Sequence, residues 1–174
     1  MNRLVRKLHV RWLVLRGKAV DIWSKSKYPA NTLSNLSDNE FYYDGIYCRS
    51  MEGFLQSLKQ QDESIQRQIR ALKGKEAKSK STSDWQRYQT VWWKGRAIAR
   101  QSDDFAQLVT NAYRALFEQN AYFRTALQAT KGKKLLHSRG QKDPRKTILT
   151  EQEFCKILTE LRDNDRNITA NGSI

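Results

Sequence analysis

Asp44-Gly45 stands between two short aromatic and β-branched runs, Phe41-Tyr42-Tyr43 and Ile46-Tyr47-Cys48. A type I′ turn needs positive φ at both central residues, which Asp and Gly tolerate, so the spacing predicts a tight hairpin. Directly after it, Met51, Phe54, Leu55 and Leu58 recur at i, i+3, i+4 and i+7. That is one buried face of a helix over residues 50–61, with Ser50 as N-cap. Gly53 in its first turn permits a close approach by backbone or ligand. A hairpin this short is not stable alone, so hairpin and helix together call for a core supplied by the rest of the chain.

That core is visible further on. Ser102 is placed as the N-cap of a long helix, with Asp103 and Asp104 at its positive end. Phe105, Leu108, Val109, Ala112, Tyr113 and Leu116 form its apolar stripe, and Asn120 marks a break before a shorter helix through Leu127. Thr150-Glu151-Gln152-Glu153 matches a capping box that opens a helix with Phe154, Ile157, Leu158 and Leu161 on one face. Residues 65–72 read as another helix, and Trp85, Tyr88, Val91, Trp92 and Trp93 as largely one helical face. Near the N-terminus, residues 9–15 and 19–23 read as a second hairpin around Arg16-Gly17-Lys18. Residues 24–37 read as a loop. Residues 73–83, rich in Lys, Ser and Gly, read as a mobile basic loop, and 131–146 as a second one. The last ten residues are polar and read as frayed. The expected fold is α+β, a mostly helical single domain with short N-terminal hairpins. It divides into a basic extension at 1–27, a domain at 28–164 and a tail at 165–174.

Charge narrows the partners. The 174-residue chain carries a net +14. Residues 1–27 hold eight Lys or Arg against one Asp, residues 59–100 eleven against four acids, and residues 131–146 seven against one. Such clusters attract polyanions by counterion release, so DNA or RNA is an expected partner. Segment 28–58 is slightly acidic and is not part of that basic surface. No apolar run approaches the roughly 20 residues of a membrane span, and none resembles a signal-peptide core, so a cytoplasmic location without membrane contact is expected. Two cysteines far apart, Cys48 and Cys155, do not make a disulfide framework. Two distant histidines and no CxxC or HExxH pattern give no basis for a metal site, and no cofactor is expected. The sequon Asn167-Ile168-Thr169 is discounted without a secretory signal.

Few constellations carry chemistry. Glu52, Gln56 and Lys59 recur at i, i+4 and i+7 along the edge of the helical face, within about 60° of one another. A carboxylate and a lysine at a pocket rim suit acid–base work, though the same spacing also describes an ordinary polar edge. Ser34 and Asn35 lie in a short polar loop of a kind that supplies ligand contacts or simply turns. His137, Ser138 and Asp143 lack the GxSxG elbow of a hydrolase triad, and no phosphate-binding GxxxxGK[ST] loop exists.

Taken in order, the segments resemble the NADAR family, whose fold is YbiA-like. The resemblance runs over residues 33–162. It is carried by Leu33-Ser34-Asn35-Leu36, the aromatic hairpin, Ser50-Met51-Glu52-Gly53 with Lys59 seven residues after Glu52, Arg100-Gln101-Ser102-Asp103, and Phe117-Glu118-Gln119-Asn120. The resemblance implies an N-glycosidase that needs no metal and cleaves between ribose C1′ and a nitrogen. Glu52 takes the catalytic position, and Ser34, Asn35, Lys59 and Arg100 take substrate-binding ones. Implied substrates are ADP-ribose on a guanine of nucleic acid or ribosylamino intermediates of riboflavin biosynthesis. A non-catalytic module binding ADP-ribose or nucleic acid is the other reading. Many members carry a pocket-lining Asp-x-x-Trp-Gly segment. The corresponding stretch here has no tryptophan, which leaves His137, Ser138 and Asp143 as the side chains to replace it.

Overall fold

The computed structural model describes residues 3–80 and 82–164. In chain order the elements are α1 (Arg3–Leu15), β1 (Ala19–Asp21), β2 (Phe41–Tyr43), β3 (Ile46–Cys48), α2 (Met51–Ser57), α3 (Glu63–Arg70) and α4 (Gly74–Ser79). They continue with α5 (Asp84–Tyr88), β4 (Thr90–Trp93), β5 (Arg96–Ala99), α6 (Asp103–Gln119), α7 (Ala121–Gln128), β6 (Lys134–Leu136) and α8 (Glu151–Asn164). This is the α+β arrangement expected, with helices dominant. Among the described residues the strands form three two-stranded sheets: β1 with β6 in parallel, β2 with β3 and β4 with β5 antiparallel.

α6 is the axis of the domain. Ser102 Oγ accepts from the Phe105 N–H, and Asp103 and Asp104 face the positive helix end. The stripe from Phe105 to Phe117 is buried against β2, α7 and α8. Asn120 ends α6 and caps α7 by accepting from Phe123 N. At α8 the capping box is formed both ways: Thr150 Oγ1 accepts from Glu153 N at 3.2 Å, and Glu153 Oε2 from Thr150 N at 2.7 Å. The Asp44-Gly45 turn has φ of 54° and 76°, as its hairpin requires. Ser50 Oγ caps α2 through Gly53 N at 3.0 Å. A Cβ on Gly53 would sit 3.2 Å from the carbonyl oxygens of both Ile69 and Arg70, so glycine lets the end of α3 lie against α2.

Four expectations are corrected. Residues 9–23 are not a hairpin: 3–15 form α1, and β1 pairs with distant β6. The alternation of Val10, Trp12 and Val14 is too short to distinguish the two periods. With β6 engaged by β1, residues 3–15 satisfy their own backbone groups as a helix, which turns Arg6, Val10 and Leu13 inward. Residues 90–99 are a hairpin rather than more helix. Gln89 ends α5 at φ 50°, Lys94 and Gly95 turn at φ 49° and 73°, and Val91 and Trp93 are buried while Thr90 and Trp92 are half-buried. Residues 74–79 are the helix α4, not a mobile loop; Ala77 is fully buried, and a Cβ on Gly74 would lie 2.5 Å from the Leu36 backbone. In the second basic stretch, 134–136 form β6 with Leu135 buried. The expected frayed tail and the sequon lie outside the described residues.

Candidate active site

The parallel pairing of β1 and β6 builds one wall of a pocket. Ile22 N donates to Leu136 O at 2.8 Å, which extends the pairing and sets Trp23 beside residues 137–139. The opposite wall is the loop through Ser34, Asn35 and Leu36, held by Asn39 Nδ2 on Thr32 O and Ser37 Oγ on Asn31 O. α2 contributes Glu52 and α4 contributes Lys78. The cleft has a volume of about 200 Å³.

Glu52 is fixed from three sides. Its backbone N–H donates to Asn35 O at 2.9 Å, which ties α2 to the loop. Its Oε1 accepts from Gln56 Nε2 at 2.8 Å and lies 4.0 Å from Lys78 Nζ. Among the described residues its Oε2 has no hydrogen-bond partner. The carboxylate is thus oriented through one oxygen and available through the other. Asn35 is oriented by Tyr113, whose hydroxyl donates to Oδ1 at 2.7 Å. Burial raises Tyr113 well above the ordinary phenol range, so it stays a donor.

His137 faces Glu52's cleft from the other wall. Its Nδ1 is 2.8 Å from Ile22 O, and a carbonyl can only accept, so Nδ1 carries a proton and donates it there, which leaves Nε2 as the ring nitrogen not engaged by that carbonyl. Phe154 packs edge-on against the ring at 5.2 Å. A Cβ on Gly140 would lie 2.5 Å from His137 Cδ2, so this glycine is what gives the imidazole its space. Trp23 supplies an aromatic wall, with the Arg139 guanidinium 3.5 Å from its ring centroid.

The expected site residues are divided by the structure. Glu52, Ser34, Asn35 and His137 meet in the cleft. Lys59 is close but does not line it: the residue is buried, and its ammonium lies 5.6 Å from the Trp85 ring centroid. Burial pushes Lys59 down to about 8, against the partly compensating field of Glu52. Ser138 lies in an adjoining groove, its Oγ and N–H donating to Asp21 at 2.6 and 2.8 Å. Arg100 does not line the cleft. Fully buried, it makes a two-pronged pair with Glu153 at 3.1 and 2.7 Å, donates to Thr147 O, and so anchors the start of α8. Asp143 is also elsewhere, paired with Arg145 at the surface, where hydrogen bonds from that arginine hold its carboxyl below the usual range.

Three pocket side chains were not singled out from sequence: Lys78, Trp23 and Arg139. The small residues Gly74 and Ala77, three apart, signal the helix that carries Lys78. No comparable signal marks the other two, because β1–β6 pairing alone brings them together. Among the described residues no group of three or more His, Cys, Asp or Glu is placed to hold a metal ion, and no helix is long and apolar enough to cross a membrane.

Comparison with known proteins adds a family and a fold. The model of the bacteriophage protein GP30.3 family matches residues 27–163. An uncharacterized 17.1 kDa protein in the Gp30–rIII intergenic region of Enterobacteria phage T4 is 41% identical over 150 residues, covering 83% of this chain and 97% of that protein. The NMR structure of the E. coli protein YbiA aligns with a TM-score of 0.60 at 19% identity, covering 91% of this chain and 90% of YbiA. The fold is therefore YbiA-like, as the resemblance to the NADAR family implied.

Proposed function

Because the chain belongs to the bacteriophage protein GP30.3 family and has the YbiA-like fold, we propose that its pocket hydrolyses an N-ribosyl bond, with ADP-ribose on a guanine of nucleic acid as the substrate. The observation that carries this reading is the Glu52 carboxylate, oriented by Gln56 through one oxygen and unpartnered on the other, inside a cleft walled by an aromatic ring and an imidazole. Cleavage of the C1′–N bond sends its electron pair to the departing nitrogen and leaves oxocarbenium character at C1′. An ionised Glu52 stabilises that charge and takes a proton from the water that adds to C1′. The proton then passes to the leaving nitrogen, and the carboxylate is restored.

The remaining groups position. Ser34 and Asn35 face the sugar hydroxyls, Trp23 stacks on a planar ring, and Lys78 and Arg139 attract phosphate. A carboxylate suffices for this chemistry, and no cofactor is invoked.

Wild-type protein incubated with an oligonucleotide bearing ADP-ribosyl guanine, followed by mass spectrometry, tests the reading. Release of ADP-ribose that falls steeply with salt is expected. Salt-indifferent release of ribose from a ribosylamino pyrimidine alone replaces nucleic acid with a small metabolite. No turnover of either, with calorimetric binding of ADP-ribose, leaves a binding module and overturns the enzyme.

A further inference from the structure

A groove of about 700 Å³ runs between α1 and the residues around Asp21, Trp23 and Arg139. It is more than three times as large as the Glu52 cleft, and Trp23 and Arg139 line both, so the two spaces adjoin. Arg6, Lys7 and Arg11 of α1 add three cations to Arg139 along it. Arg6 is paired with Glu151, which Lys142 also approaches at 3.7 Å. Lys7 and Arg11 are exposed and have no acidic partner among the described residues. Asp21, the acid on the groove wall, already accepts from Ser138 through both oxygens. α1 also lies outside the stretch matched by the family model, which begins at residue 27.

We propose that this groove holds a single nucleic-acid strand as it leaves the Glu52 cleft, with Lys7 and Arg11 on successive phosphates and Trp23 as a stacking platform at the junction. The two cations are one helical turn apart, about 5–6 Å along the surface, a spacing comparable to that of neighbouring phosphates on an extended strand. An aromatic face beside a cationic track is the arrangement that binds single strands without reading sequence. The proposal rests on the reading of the Glu52 cleft as a site for a nucleic-acid adduct, but it is tested by binding rather than turnover. A glycosidase that acts only on a metabolite and a groove that fails to bind a strand are thus separable results.

The test is fluorescence anisotropy of a labelled twelve-nucleotide oligothymidylate with the full chain, the variant Lys7→Glu/Arg11→Glu, and the milder Lys7→Gln/Arg11→Gln. Both side chains are exposed, and circular dichroism checks that α1 persists. The expected result is a loss of tenfold or more in the charge-reversed variant and a smaller loss in the neutral one. Two lost phosphate contacts lower the slope of log affinity against log salt by about 1.4, at about 0.7 per contact on a single strand. Unchanged affinity and slope overturn the proposal, because the strand then binds elsewhere. Displacement of the oligonucleotide by free ADP-ribose in simple competition also overturns it, since the groove then holds that ligand's own pyrophosphate. The outer face of α1 exposes Leu4, Leu8 and Trp12. Binding to phosphatidylserine vesicles that the same variant abolishes, with none to the oligonucleotide, overturns it in favour of an anionic membrane surface.

Discussion

Lys78 Nζ lies 4.0 Å from Glu52 Oε1, so the ammonium of α4 faces the carboxylate of α2 across the cleft. The lysine side chain is 64% exposed, whereas Glu52 is 9% exposed. An ion pair with one partner in solvent contributes little to stability, about 0–1 kcal/mol. Its value is positional: it keeps a positive charge at the cleft beside Glu52, where the proposed ADP-ribosyl substrate would bring its phosphates. Lys78→Met is expected to lower kcat/KM by about tenfold to a hundredfold with little change in melting temperature. Steady-state kinetics beside thermal denaturation checks this. An equal fall in both places Lys78 in the scaffold.

Arg100 has the opposite profile. Its guanidinium is buried and committed to Glu153 and Thr147. Arg100→Gln is expected to cost about 2–3 kcal/mol, less than the 3–5 of a wholly buried pair because Glu153 is partly open to water. Burial alone would raise the Glu153 carboxyl, but hydrogen bonds from Arg100 and Thr150 outweigh it and lower it from 4.5. A lowered carboxyl contributes stability that is present above about pH 4.5 and lost as pH falls through its folded value. Urea denaturation between pH 6 and 3 is expected to show this acid loss, and Glu153→Gln to flatten it.

Lys59 gives a signature at the alkaline end. Burial brings it down from 10.5 to about 8, with Glu52 raising it and Lys78 lowering it further. Between those values the unfolded chain binds more protons than the folded one, so this group makes stability rise with pH from about 8 to 10.5. The rise is at most about 3 kcal/mol. Cys48 and Cys155, pushed up to about 12 by burial, act oppositely above pH 9. The difference between wild type and Lys59→Met isolates the lysine. A difference independent of pH over this window contradicts its burial as a charge.

Trp23→Ala is expected to weaken ligand binding by about tenfold or more, since stacking on one aromatic ring contributes about 1–3 kcal/mol. Trp23→Phe is expected to recover part of it. Calorimetry with ADP-ribose reads both, and equal affinity in all three proteins removes Trp23 from the site.

Local chemistry made part of this legible in sequence. The Asp44-Gly45 turn, the Ser50 and Ser102 caps, the break at Asn120 and the Thr150–Glu153 box each act within a few residues, and all are present. Glu52 and the Ser34-Asn35 loop were found because their order along the chain resembled a family. What was missed depends on distant pairing. β1 finds β6 across the domain, and this alone places Trp23 and Arg139 at the cleft. Arg100 and Asp143, expected at the site, do not line the cleft for the converse reason. Their partners, Glu153 and Arg145, consume them where no motif shows it. Lys78 was hidden by composition, since a Lys- and Ser-rich stretch reads as a loop until Gly74 is seen packed on Leu36.

The most direct test is Glu52→Gln compared with wild type, in single-turnover release of ADP-ribose from an oligonucleotide bearing ADP-ribosyl guanine. The amide is isosteric and still accepts from Gln56 Nε2, so fold and ligand affinity should persist. The expected result is release by wild type, a fall of at least a hundredfold in the variant, and similar calorimetric binding of ADP-ribose by both. Equal release by the two proteins contradicts a catalytic Glu52.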